Sequence, residues 1–185
     1  ADTCLLYATQ IGQHDQDPLS FPIDGAAFAE PWPVDLGSLR VAWTEDFSGA
    51  PVEKGIRSTM REKMKAMKPL FRSLDKVEID YGDADRCFDV IRAVSFLSRY
   101  HDAYTNNRKM LGPNIVANYE IGAKLSLADF AWAHGEQTRI FRKFQDLYRD
   151  YDLVLGPTVG FSPFPWKQLY IDQMDGKKLR NFYHW

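Results

Sequence analysis

A long amphipathic helix that runs straight into a strand leaves this chain few ways to fold. Between Ser126 and about Asp150, apolar residues including Phe130, Ala131, Ile140, Phe141, Phe144 and Leu147 recur at helical spacing. Ser126 is placed to cap the helix, and Asp129 is placed to return the bond, a variant of the capping box. Asp152-Leu153-Val154-Leu155 follows with no linker and reads as a buried strand. Gly156-Pro157-Thr158 then turns the chain. The strand belongs to a sheet packed under helices, and the loop leaving such a strand is where α/β proteins build ligand pockets. No arrangement for a catalytic nucleophile accompanies the turn.

The remaining elements agree with that class. Residues 1–12 set Ala1, Cys4, Leu5, Ala8 and Ile11 at helical spacing, with Gly12 as a stop. A long Pro-rich connection covers residues 13–38, with Asp17-Pro18, Phe21-Pro22 and Pro31-Trp32-Pro33. Leu39, Val41 and Trp43 alternate with Arg40 and Ala42, a strand pattern. A helix starting near Pro51 carries Val52, Ile56, Met60, Met64 and Met67 on one stripe. Lys76 to Tyr81 alternates again and is predicted to be a second strand. Helices are predicted from Asp83 to about Asn106, with Phe88, Ile91, Val94 and Leu97 inward, and from Ile115 to Gly122. Ile171 to Lys178 reads as a hairpin turned by Asp175-Gly176. Strands alternating with helices give an α/β fold. Few strands are visible for so many helices, and the first residues read as the middle of a helix, so a piece of a longer protein is expected.

Composition removes several functional classes. The chain has 185 residues, 45% of them apolar and 14% aromatic, enough for a real core. A formal charge of −2 gives no global field for nucleic acid, and no nucleic-acid partner is expected. No run approaches the roughly 20 apolar residues of a membrane helix. Cys4 and Cys87 stand far apart, which argues against a disulfide framework and fits a reducing cytoplasm.

Candidate chemistry is sparse. His14, His101, His134 and His184 lack metal-ligand spacing, with no HExxH or CxxC, so neither a metal nor another cofactor is expected. Ser73-Leu74-Asp75-Lys76 matches SxxK in form, but it sits between a helix end and a strand without the partner motifs of that chemistry. Gly156 and Gly160 flank Pro157, which has no amide proton, so they make no phosphate cradle. Lys54, Arg57, Arg61, Lys65 and Lys68 share one helix stripe and read as a solvated face opposite the methionines. A non-enzymatic module binding an anionic or apolar partner through that stripe, or through the aromatic tail Phe161, Phe164, Trp166, Tyr170, Phe182, Tyr183 and Trp185, is the alternative reading.

In order along the chain, four segments resemble the amidase signature family downstream of its catalytic segment. They are Ala1-Asp2-Thr3-Cys4-Leu5-Leu6, Asp15-Gln16-Asp17-Pro18-Leu19-Ser20, Asp35 to Trp43, and Tyr151 to Thr158. The resemblance implies helices packed on part of a mixed β-sheet, with residues 1–185 forming a single partial domain of an incomplete amidase fold. It implies amide hydrolysis through an acyl-enzyme, using a Ser-Ser-Lys triad that lies upstream in that family, so no catalytic residue is assigned here. Pro157, Thr158 and Phe161 match the pocket-edge loop and are the candidate substrate-binding residues, for a small-molecule amide. A homo-oligomer is compatible with the resemblance. The related glutamyl-tRNA amidotransferase proteins place a carboxylate-binding arginine on the preceding helix. Gln137 falls near that position here, with Arg139 two residues on, which favours a general amidase.

Overall fold

A computed structural model describes residues 2–29, 32–47, 49–168 and 170–180. Ala1, Pro31 and the tail residues Phe182, Tyr183 and Trp185, assigned roles above, lie outside the described residues. Two compact units are present, residues 1–36 and 37–185. The first holds helix α1 (Asp2–Gln10) and a 3₁₀ turn, Gly25–Phe28, capped by the Asp24 carboxylate on the Ala26 amide. Tyr7 meets Phe28 edge-on at 5.2 Å between ring centroids. A Cβ on Gly25 would lie 2.4 Å from the Ala8 carbonyl oxygen, so glycine allows the turn to approach α1. No described residue of α1 is buried, against the expectation for its stripe, and Leu5 is exposed.

The second unit is organised by β1 (Arg40–Trp43), which pairs in parallel with β2 (Ser73–Lys76) on one side and β3 (Leu153–Leu155) on the other. Val41 and Ala42 point to opposite faces, yet both are 0% exposed. The strand is therefore covered on two sides, as a central parallel strand must be. Parallel pairing needs a crossover between strands. Helix α2 (Lys54–Met67) supplies the first, from β1 to β2. Helices α3 (Ala84–Asn107), α4 (Pro113–Gly122) and α5 (Leu127–Asp150) lie between β2 and β3. Met60, Met64 and Met67 of α2 pack on Val41 and Leu74 as their spacing predicts.

Both ends of the β1–β3 pairing are fixed. At the start, the Arg40 amide donates to Asp152 Oδ2 at 2.8 Å, and the guanidinium reaches both carboxylate oxygens at 2.9 and 3.3 Å. The Asp152 amide returns a 2.8 Å bond to the Arg40 carbonyl. At the far end, the amide of Thr44, itself buried, donates to the Leu155 carbonyl at 2.9 Å. Arg40, through its side chain and then its amide, holds the Asp152 carboxyl below its usual value near 3.8.

The helical layer rests on small residues. Cys87 and Val90 of α3 meet Ala133 of α5, with Trp132 and Leu125 at the margin. A Cβ on Gly122 would stand 2.4 Å from the Ala93 carbonyl oxygen, so α4 sits hard against α3. The capping box of α5 forms as read: the Asp129 amide donates to Ser126 Oγ at 3.1 Å, and the Ser126 amide donates to Asp129 Oδ2 at 3.0 Å. The hairpin is also present, as β4 (Gln173–Met174) and β5 (Lys177–Lys178). Asp175 and Gly176 adopt φ of 49° and 78°, the pair of positive values that a type I′ turn requires.

Four expectations are corrected by packing. β2 lies at Ser73–Lys76, not at Lys76–Tyr81. Its last ladder bond runs from the Val77 amide to the carbonyl of Trp43, where β1 ends, so the later alternation has no strand beside it there. Ile79 is still buried, so that alternation encodes burial rather than pairing. In α3 the buried stripe is Cys87, Val90 and Ala93, whereas Phe88 is 49% exposed, because small side chains allow the close approach of α4 and α5. β3 is half-exposed rather than buried, with Leu153 at 42%, since it is the edge of the described sheet. In α5, likewise, Phe141 and Ala131 face solvent.

Ser126→Ala should lower the unfolding free energy by about 1 kcal/mol. Gly122→Ala should also destabilise despite alanine's better helix propensity, because its methyl group meets backbone; both read as lower urea midpoints at unchanged slope. For acid stability the sign is set by a depressed folded-state pKa. The Arg40–Asp152 pair contributes above the unfolded value near 3.8 and is lost as pH falls through the lower folded value. Asp152→Asn should therefore flatten the acid limb of a stability–pH curve below about pH 4; an unchanged limb contradicts the assignment.

Candidate functional site

Because the sheet is parallel, β1 and β3 release their following loops at the same edge. In open α/β sheets ligands bind outside these carboxyl ends. Pro157 and Thr158 occupy the loop after β3, with Pro157 half-buried and Thr158 exposed. Phe161 follows and packs with Phe164 at 5.3 Å between centroids. Gly156 is required by a close approach: a Cβ there would lie 2.3 Å from the Phe47 ring. Phe47 itself adopts φ 48°, a conformation an aromatic residue rarely takes. Its ring leans edge-on toward Tyr81 at 6.3 Å, and Tyr81 meets Phe144 at 5.4 Å. The Tyr81 hydroxyl is buried without a hydrogen-bond partner among the described residues, and desolvation pushes its pKa up to about 12. It stays protonated at any physiological pH.

Glu53 clips the two loops together. Its amide donates to the Gly160 carbonyl at 2.8 Å. Its carboxylate accepts from the Ser162 amide at 3.0 Å and from Ser162 Oγ at 2.7 Å. The next residue, Lys54, opens α2 and donates its amide to Asp175 Oδ2 at 2.9 Å. The hairpin turn thus sets a carboxylate on the positive end of the helix dipole. Arg57, one turn on, stands 3.7 Å from Asp46 and 3.9 Å from Asp175. Around these groups lies a cleft of about 600 Å³, floored by Val52, Met174 and Leu179, which are all buried. Its described lining contains charged and apolar side chains but no Ser, Thr, Cys or His. Such a lining can bind and orient a ligand, and among its described residues it offers no hydroxyl, thiol or imidazole.

Other candidates resolve differently. Ser73 and Lys76 lie three positions apart on β2 and so point to opposite faces of the sheet. Lys76 pairs with Glu45 at 2.9 Å. Arg139 is bound by Glu136 at 2.9 Å and lies 3.5 Å from Asp80, so the arginine nearest the carboxylate-binding position is already engaged by two acids. Within the basic stripe, Arg57 and Arg61 have acidic neighbours. His134 meets the Phe130 ring at 4.4 Å, and His101 Nδ1 bonds to the Tyr119 hydroxyl at 2.9 Å. Among the described residues no group of three His, Cys, Asp or Glu could hold a metal ion, and no helix is long and apolar enough to cross a membrane. Glu53, Phe47, Asp46 and Asp175 were not legible as site residues. Glu53 and Ser162 are 109 positions apart, and the helix expected from near Pro51 begins instead at Lys54, which leaves Glu53 just outside it.

No protein-family model matches the chain. The chain is 21% identical over 182 residues to an acylamidase of Rhodococcus erythropolis, covering 97% of this chain and 38% of that protein. It is also 21% identical to a glutamyl-tRNA(Gln) amidotransferase component of Thermoanaerobacter pseudethanolicus, over 85% of this chain and 37% of that protein. A crystal structure of a bacterial aryl acylamidase belonging to the amidase signature enzymes superimposes on 94% of the chain and 38% of its own length, with a TM-score of 0.75 at 16% identity. A second, a crystal structure of an amidase, covers 83% of this chain with a TM-score of 0.69 at 15% identity. The chain thus spans well under half the length of the relatives it matches.

Removing the clip should be visible without unfolding. Glu53→Ala is expected to speed hydrogen exchange at the Ser162 amide about tenfold or more, the cost of losing a charged acceptor, while amides of β1 keep their protection. Equal acceleration in both places would make Glu53 a global rather than a local support.

Proposed function

We propose, from the premise that this chain is a stretch of the amidase signature fold, that it forms part of an amide hydrolase and supplies scaffold and one wall of the substrate pocket. The observation that carries the reading is the agreement between sequence and structure. Similarity to an acylamidase runs over 97% of the chain, and an amidase signature structure follows the backbone over 94% of it. In the complete enzyme the reaction cleaves the carbon–nitrogen bond of a small amide through an acyl-enzyme. The attacking serine, the bridging serine and the lysine base come from elsewhere in the polypeptide, and the chain is inactive alone. Pro157, Thr158 and Phe161 line the pocket side. The tie from Glu53 to residues 160–162 supports that role, because a loop that selects a substrate must be held in place.

Engagement of Arg139 by Glu136 and Asp80 supports a general amidase over an enzyme that holds a substrate carboxylate through this residue. Two free cysteines, one of them buried, fit a reducing cytoplasm.

Kinetics of the complete enzyme test the proposal. Phe161→Ala should lower kcat/KM for aryl or alkyl amides by about tenfold, and more steeply for the larger acyl or amine group, because it removes apolar contact. Residues 1–185 expressed alone should give no turnover above buffer. Unchanged kinetics in the variant, or hydrolysis by the isolated chain, overturns the reading.

A further inference from the structure

The parallel register sets Val41 beside Leu74 and Trp43 beside Lys76, so these four side chains share the face that α2 covers. Val41 and Leu74 are sealed by Met64. Beyond them α2 leaves a shallow groove of about 400 Å³ along β2. Trp43, Met64 and Leu74 form its apolar floor, and Arg61, Lys65, Lys68 and Lys76 its rim. Glu45 pairs with two of the four cations, Arg61 and Lys76. Among the described residues no carboxylate pairs with Lys65 or Lys68, so the rim keeps an excess of positive charge. β2 in turn pairs with β1 alone among the described residues, so its second edge presents backbone donors and acceptors without a ladder.

We propose that this groove docks an acidic peptide segment, added in extended form as a strand on the open edge of β2. Three observations fit one occupant. An added strand forms a backbone ladder with β2. Its alternate side chains then face α2, which places an apolar residue toward Met64 and Leu74 and carboxylates toward Lys65, Lys68 and Lys76. The pattern it requires is acid, any residue, apolar, any residue, acid. A nucleic acid fits less well: it has no amide ladder, and the Trp43 ring is no stacking platform. Lys76 lies 5.7 Å over that ring, and Trp43 packs against the Val41–Met64–Leu74 cluster. The site is built from the α2–β2 side and uses none of the residues assigned to the amide pocket.

Fluorescence anisotropy of a labelled Glu-Thr-Val-Thr-Glu peptide, titrated with the complete protein at low salt, tests the proposal. Saturable binding is expected. It should weaken tenfold or more with Lys65→Glu/Lys68→Glu, with lysine in place of both glutamates, and with N-methylation of alternate peptide amides. The charge-reversal variant should keep the parent's far-ultraviolet circular dichroism. Absence of saturable binding overturns the proposal and leaves the lysines as guards of an exposed edge. Binding indifferent to N-methylation, tighter binding of a single-stranded oligonucleotide, or self-association of the protein in place of peptide binding overturns it equally.

Discussion

A strand paired on both edges and buried on both faces is the constraint on which residues 37–185 depend. With Val41 and Ala42 both closed to solvent, β1 tolerates no polar side chain at its centre and no break in its ladders. Parallel partners on either side demand long connections, and the helices supply them. The Arg40–Asp152 contact bridges 112 positions of sequence and is the geometric end-stop of the whole excursion through α2 to α5. An exposed ion pair of this kind adds little by itself. Its weight here comes from the backbone bonds it accompanies in both directions.

That same parallel order decides where the loops after β1 and β3 gather. Two loops leave the sheet at one edge, and a single carboxylate, Glu53, holds them together. Phe47 in a left-handed conformation and Gly156 without a side chain are complementary: the ring fills the place a Cβ would take. Phe47 follows Asp46, which lines the cleft, so this strained conformation is held directly beside it. The hairpin turn adds a second function to its Asp-Gly pair. Asp175 both adopts the turn conformation and offers its carboxylate to the first amide of α2.

Features set by near neighbours in sequence were legible. The capping box of α5, the methionine stripe of α2 and the Asp-Gly hairpin each need only a few consecutive residues, and each stands as read. What escaped depended on partners far along the chain. The alternation of Lys76 to Tyr81 carries a true burial signal through Ile79, but pairing there is decided by where β1 stops. In α3 the apolar pattern alone favoured Phe88, whereas packing chose Cys87 and Ala93 because α4 and α5 approach too closely for a ring. Pro157 and Thr158 could be singled out as candidates because a strand end followed by Gly-Pro is a local signal. Glu53 could not, because its partner is Ser162.

Photoaffinity mapping decides whether the loop after β3 forms a wall of an amide pocket, as proposed. A photoreactive anilide competitive with substrate would be irradiated in the complete enzyme, and the adducts located by mass spectrometry. Cross-links are expected within residues 157–164, suppressed by excess amide. Cross-links confined to other surfaces of the chain, or indifferent to that competitor, would contradict it.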